Sequence, residues 1–172
     1  MGQQREQENE PSEDGKKLAG LIEDIQIAML TTVGTDGRLY SRPMATQQEK
    51  FTGTLWFFTK RHSGKVNEIQ HDQQINLAYS QPDKNRYVSV AGRAALSSDR
   101  DKMKELWSPV FKAFFPDGLD DPELALLEVE VETAEYWEAP SSAVVKLVGF
   151  VKAVATGKAY HPGENKTLNV NG

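Results

Sequence analysis

Two short segments carry residue types that could hold an anion. The first is Phe57-Phe58-Thr59-Lys60-Arg61-His62-Ser63-Gly64-Lys65, an aromatic stretch that runs into a basic, hydroxyl-bearing turn and then a helix. Free N–H groups in a first helical turn and the positive end of the helix dipole both favour negative charge. Ser63 adds a hydroxyl donor, and Lys65 and Arg61 add charge. Taken alone, the segment is read more simply as a helix capped by Ser63 with solvated lysines. The second segment is Ser41-Arg42-Pro43-Met44. On a strand of period two, Arg42 shares a face with Tyr40 and Met44, so a guanidinium beside apolar surface needs a partner. Pro43 lacks a ladder donor and belongs on an edge or beside a bulge, where neighbouring backbone groups can meet a ligand. An edge strand with an exposed arginine explains this segment equally well.

Other chemistry is thinly represented. The chain has no cysteine, which excludes disulfides, thiolate nucleophiles, thiolate-bound zinc and iron–sulfur clusters, so any redox chemistry needs a bound cofactor. His62, His71 and His161 have no carboxylate or histidine at ligand spacing and read as surface histidines, with no metal site. Glu128, Glu130 and Glu132 read as the solvated face of a strand. Neither a Gly-x-Ser-x-Gly elbow nor a Gly-x-Gly-x-x-Gly turn is present.

The bulk properties agree with a small-molecule protein. At 172 residues and 38% hydrophobic content, one domain with one core is expected. A net charge of −5 works against a nucleic-acid binder, which needs a basic surface. No apolar run approaches a membrane span and the first residues are polar without a hydrophobic signal core, so a soluble, cytoplasmic protein is expected.

The elements that would position these segments follow from hydrophobic periodicity. Residues 1–15 are polar and read as a flexible tail. Leu18, Leu21, Ile22 and Ile25 have helical spacing, and residues 27–33 and 38–46 form a hairpin around a turn ending in Asp36-Gly37. Residues 54–59 are apolar without alternation, which predicts a central strand covered on both faces. Residues 75–80 and 86–96 add two strands, the latter bent or bulged at Gly92. Ser98 opens a helix through Trp107 that Pro109 stops, and Phe111, Phe114 and Phe115 pack over the barrel. Residues 127–133 alternate strictly, as a half-exposed strand does. Val144, Leu147, Val148, Val151 and Val154 lie on one stripe of a helix capped by Gly157, and residues 158–172 read as an extension. These elements predict an α+β fold, an antiparallel β-barrel of about six strands with flanking helices, over residues 16–157.

At this point the sequence resembles the pyridoxamine-phosphate-oxidase-related split barrels, in particular their FMN-binding general stress protein branch. The resemblance runs from about Lys17 to Gly157. It rests on Ser41-Arg42-Pro43-Met44, on Trp56-Phe57-Phe58-Thr59 with Ser63 and Lys65, and on Glu135-Tyr136-Trp137. It implies FMN as cofactor, with Arg42, Ser63 and Lys65 holding its phosphate. Phe58, Thr59, Lys60, Gly64 and the Pro43-Met44 backbone would border the rest of the flavin. It further implies a homodimer with the flavin between protomers, approached by Trp137 of the other copy. Family members often carry a glutamine five residues before the barrel glycine, where this chain has Tyr87 before Gly92. True oxidases of the family bind a substrate phosphate with a C-terminal segment containing arginine and histidine. Here no arginine follows Arg100, so pyridoxine phosphate is not the expected substrate. The resemblance leaves open a flavin-dependent oxidoreductase of unidentified substrate, a non-catalytic flavin-binding stress or sensor protein, and a barrel using haem or a deazaflavin.

Overall fold

The computed structural model describes residues 11–47, 49–140, 142–159 and 163–170. The first ten residues of the expected tail lie outside this set. Helix α1 (Glu13–Ile22) begins before the tail's expected end, because Ser12 caps it by accepting from the Gly15 N–H, with Glu13 and Asp14 in the positive first turn. Its Leu18, Leu21 and Ile22 are buried in the main core.

Seven strands form one antiparallel sheet: β1 (Ile27–Val33), β2 (Leu39–Ala45), β3 (Thr54–Lys60), β4 (Gln74–Gln81), β5 (Arg86–Ser97), β6 (Leu124–Glu138) and β7 (Glu164–Asn169). Helix α2 (Gly64–His71) joins β3 to β4, α3 (Arg100–Leu106) follows β5, and α4 (Ala143–Thr156) lies between β6 and β7. The strand order is β2-β1-β4-β5-β6-β3. The sheet curls until β2 and β3, its two ends, stand side by side without a ladder between them. This is a split barrel.

Long β6 organises the curl. One edge pairs with β5 from Leu126 to Glu138, and the other is shared end to end, by β3 along residues 124–130 and by β7 along 133–138. The register shifts between Ala91 and Gly92, which is the bulge expected at that glycine. Strand β7 lies within the extension expected over residues 158–172, and Glu164–Asn169, a polar segment, takes its structure from the free edge of β6 rather than from its own pattern.

The expectation that residues 54–59 form a central strand is corrected. β3 ends the sheet path, and its apolar run reflects coverage of both faces. Phe57 enters the barrel core, whereas Trp56 and Phe58 join a second cluster outside it with Met103, Trp107, Phe111, Phe115, Leu124 and Leu126. The Phe58 ring lies 4.7 Å from that of Phe111 and 5.7 Å from that of Trp107. Phe114 departs from the expected packing and is exposed. The same double coverage buries Leu124, Ala125, Leu126 and Leu127 consecutively before β6 settles into alternation.

The start of α3 is also corrected. Asp99, not Ser98, is its cap, accepting from the N–H groups of Asp101 and Lys102 at 3.0 Å, while Ser98 Oγ accepts from the Arg61 guanidinium. Asp99→Ala is therefore expected to cost about 1 kcal/mol, read as a lowered urea midpoint at unchanged slope. A Ser98→Ala effect of equal size would contradict this assignment of the cap.

Candidate functional site

The split leaves β2 and β3 with one edge each that no strand covers, so backbone groups there are available to a ligand. Against this gap lies a cavity of about 270 Å³. Pro43, Met44 and Ala45 of β2 form one wall, Phe58, Thr59 and Lys60 of β3 another, and Phe111, Phe114 and Phe115 an aromatic third. Lys65 of α2 closes the polar end. The structure thus brings Pro43, Met44, Phe58, Thr59, Lys60 and Lys65 to one place, although they are up to 22 positions apart in the chain.

The polar end is built from hydroxyls and cations. Lys65 Nζ donates to Thr59 Oγ1 at 3.3 Å and Ser63 Oγ at 3.4 Å, and the two hydroxyls are 3.5 Å apart. Ser63 occupies the N-cap position of α2, but its side chain makes no capping bond. Its hydroxyl faces Lys65 instead, which corrects the simpler reading of this segment. Gly64 is the first residue of α2, and a Cβ there would meet nothing within 4 Å, so sterics do not demand glycine.

Arg42 does not line the cavity. Its Nη2 donates to Glu68 Oε2 at 2.7 Å and its Nη1 to Thr32 Oγ1, and Thr32 Oγ1 donates to the same carboxylate at 2.5 Å. This half-buried triad ties β2, β1 and α2 together. Glu68 and Thr32 are the partners that the sequence left unnamed. The usable signal was that Glu68 follows Lys65 by three positions and so shares its helix face. Arg42 is nonetheless close enough to act on Lys65. Burial holds the Lys65 ammonium below the usual lysine range, and the charges of Arg42 and Lys60 add to this against the opposing pull of Glu68. A desolvated lysine among other cations favours an incoming anion. The donor set fits a phosphate group, and the aromatic walls fit a planar ring.

Trp137 lies elsewhere. It stands opposite Tyr87 near the far end of β6, whereas Lys60 at the cavity stands opposite Leu124 at the near end. A larger cavity of about 480 Å³ lies beneath α1, bordered by Ile22, Phe51, Leu55 and Tyr79. None of the ligand-holding residues singled out from the sequence reaches it, and Lys16 at its rim is paired with Glu13 at 3.0 Å, so size does not identify the site. Among the described residues there is no metal-binding group of three or more ligands, and no helix is long and apolar enough to cross a membrane.

Together these features define a split barrel with a phosphate-compatible, aromatic-walled cavity at its seam. The chain belongs to the family "Pyridoxamine 5'-phosphate oxidase like", whose family model matches residues 13–161. It is 30% identical over 151 residues to the protein bli-3 of Neurospora crassa, covering 82% of this chain and 72% of that one. It is 26% identical to general stress protein 26 of Bacillus subtilis, over 77% of this chain and 94% of the relative. The crystal structure of the general stress FMN/FAD binding protein from Xanthomonas citri is similar at a TM-score of 0.63 and 26% identity, covering 73% of this chain and 89% of that one.

Proposed function

We propose that this protein binds FMN in the seam cavity and works as a flavin-dependent oxidoreductase on an unidentified small molecule. The observation that carries the reading is the meeting of Lys65, Ser63 and Thr59, with Arg42 behind them, at the polar end of an aromatic cavity. The flavin-binding relative from Xanthomonas citri supports it. In this reading Lys65, Ser63 and Arg42 hold the phosphate, and Glu68 keeps the Arg42 guanidinium in place. Thr59 and the Pro43-Met44 edge border the ring and ribityl chain, and Phe58 and Phe111 exclude water. Bound FMN supplies hydride and electron transfer, which the polypeptide itself lacks. The protein acts as a homodimer with the cofactor site shared between copies. It does not oxidise pyridoxine phosphate, having no second arginine cluster to hold that substrate's phosphate.

Titration of FMN into the protein, followed by flavin fluorescence, tests binding. Anaerobic mixing of the complex with NADH or NADPH tests turnover, and bleaching of the flavin absorbance is the expected result. Binding without bleaching by either nucleotide, or by another donor, would favour the sensor reading. A haem or deazaflavin spectrum in the purified protein would displace FMN altogether.

The position of Lys65 gives this binding a pH dependence of known sign. A phosphate stabilises the ammonium and raises its lowered pKa, so binding draws on a proton when the free lysine has lost one. Affinity is full below the free-protein value and falls as pH rises through it, starting short of the ordinary lysine value of about 10.4. Lys65→Arg remains charged across this range and is expected to move the fall to higher pH. An alkaline fall identical in both proteins would assign it to another group.

A further inference from the structure

The cavity beneath α1 measures about 480 Å³, inside the range of about 300–1,000 Å³ that small-molecule sites occupy. Ala19, Gly20 and Ile22 of α1 form its roof, and Phe51, Leu55 and Phe57 form its sides. Lys16, Ala19, Gly20 and, at the C-cap, Glu23 lie at helical spacing, so one face of α1 is turned toward it. Glycine weakens a helix interior, and no atom within 4 Å of the would-be Cβ of Gly20 requires it. Its effect is to leave the opening beneath the roof wider than any other residue would.

Tyr79 supplies the polar feature of the interior. It is 2% exposed and lines the cavity from β4, between Ala28 of β1 and Val88 of β5, where the strand backbones are committed to their ladders. Its hydroxyl has no hydrogen-bond partner among the described residues, and burial alone pushes its pKa up. The phenol therefore keeps its proton and is a donor without an acceptor. A buried hydroxyl left unpaired costs stability, and phenylalanine would fill the same place without that cost. Thr46 and Gln47, by contrast, are engaged, donating to the carbonyls of Ile25 at 2.7 Å and Ala45 at 3.3 Å. At the mouth Lys16 is paired with Glu13 and Glu49 with Lys102, and Glu23 and Lys50 are engaged as well. Two cations and two carboxylates there offer no net charge to an ion.

We propose that this cavity is a second binding site, for an uncharged and mainly apolar molecule whose carbonyl-type oxygen accepts a hydrogen bond from the Tyr79 hydroxyl. The apolar walls take the body of the ligand, the balanced mouth gives ions no advantage, and the buried donor fixes the orientation. Water is a poorer occupant, since a hydroxyl among apolar walls offers it one partner where a buried water needs about two to four. The site is separate from the seam cavity. Phe57 borders one and Phe58 the other, as successive residues on opposite faces of β3. The proposal is therefore independent of what the seam cavity holds.

Prodan, an uncharged naphthalene ketone whose emission reports hydrogen bonding at its carbonyl, is the probe. Titrated into the full chain without FMN, it is expected to bind with emission to the blue of that in water. Tyr79→Phe should weaken binding by about three- to tenfold, the contribution of one neutral hydrogen bond, and move the bound emission further to the blue. The same dye without its propionyl group should bind wild type and Tyr79→Phe equally. Gly20→Leu, which grows from the roof into the opening, should remove the binding of both dyes. Tyr79→Phe loses a hydroxyl that has no partner, so without ligand it should melt no lower than wild type. Absence of Prodan binding, affinity unchanged in either variant, or a lower melting temperature for Tyr79→Phe would overturn the proposal. Equal weakening of both dyes by Tyr79→Phe would also overturn it, because the effect would then lie in the shape of the cavity and not in the hydroxyl.

Discussion

Lys65→Ala is expected to weaken FMN binding by about one to two decades while leaving the fold intact. A charge-assisted contact to phosphate contributes about 1.5–3 kcal/mol, which converts to that range. The fold should not suffer, because the buried ammonium is already held below its ordinary pKa by desolvation and by Arg42 and Lys60. A group so shifted opposes folding at neutral pH, and the penalty lifts only as pH rises through its lowered value. Arg42→Ala makes a useful contrast. It also removes a cation from the phosphate end, but it leaves the half-buried Glu68 carboxylate without its 2.7 Å partner, so it should lower thermal stability as well as affinity. Titration of FMN into both variants, with melting curves of the cofactor-free proteins, separates the two roles. Equal FMN affinity of wild type and Lys65→Ala would remove Lys65 from the site.

The contrast between Lys65 and Arg42 shows how far local sequence reaches. Thr59, Ser63 and Lys65 lie within seven positions, so local order alone brings their side chains within reach of one another, although the segment by itself reads as a plain capped helix. That Thr59, Ser63 and Lys65 share one polar end follows from this local order. Glu68 and Thr32 as partners of Arg42 do not, since they depend on β2 pairing with β1 and on where α2 packs. The same limit explains β3. A strand buried on both faces reads as central, and nothing in Leu55-Trp56-Phe57-Phe58 reveals that its outer cover is a local cluster from residues 103–126 rather than a further layer of the barrel. Periodicity reports burial, not the identity of what buries. Helix α4 is the extreme case, with a clear apolar periodicity whose Leu147, Val148, Val151 and Val154 are exposed among the described residues. Strand β7 is the converse, a polar segment given its structure by the vacant edge of β6.

Gly92→Ala is expected to be among the most destabilising single-methyl substitutions in the molecule. A Cβ at this position would stand 2.2 Å from the carbonyl oxygen of Glu130, 3.2 Å from its carbon and 3.3 Å from Val131 Cα. All three are backbone atoms of the adjoining strand, so no side chain can turn away to make room. They also lie where the register of β5 on β6 shifts, just before the partner on the other edge of β6 changes from β3 to β7. Relief of the clash must therefore separate β5 from β6 at the bend that closes the barrel. Overpacking in a core typically costs about 1–3 kcal/mol, and a clash with fixed backbone belongs at or above the top of that range. For a chain of this size about 3 kcal/mol corresponds to a loss of about 6–12 °C in melting temperature. Gly20→Ala is the matched control. Gly20 lies in α1 with nothing within 4 Å of its would-be Cβ, so the same added methyl should stabilise by about 0.5–1 kcal/mol through helix propensity. Melting curves of the two variants in the absence of cofactor should move in opposite directions. A Gly92→Ala protein within about 0.5 kcal/mol of wild type would show that the β5–β6 bend has slack, and that closure of the barrel does not depend on the missing side chain.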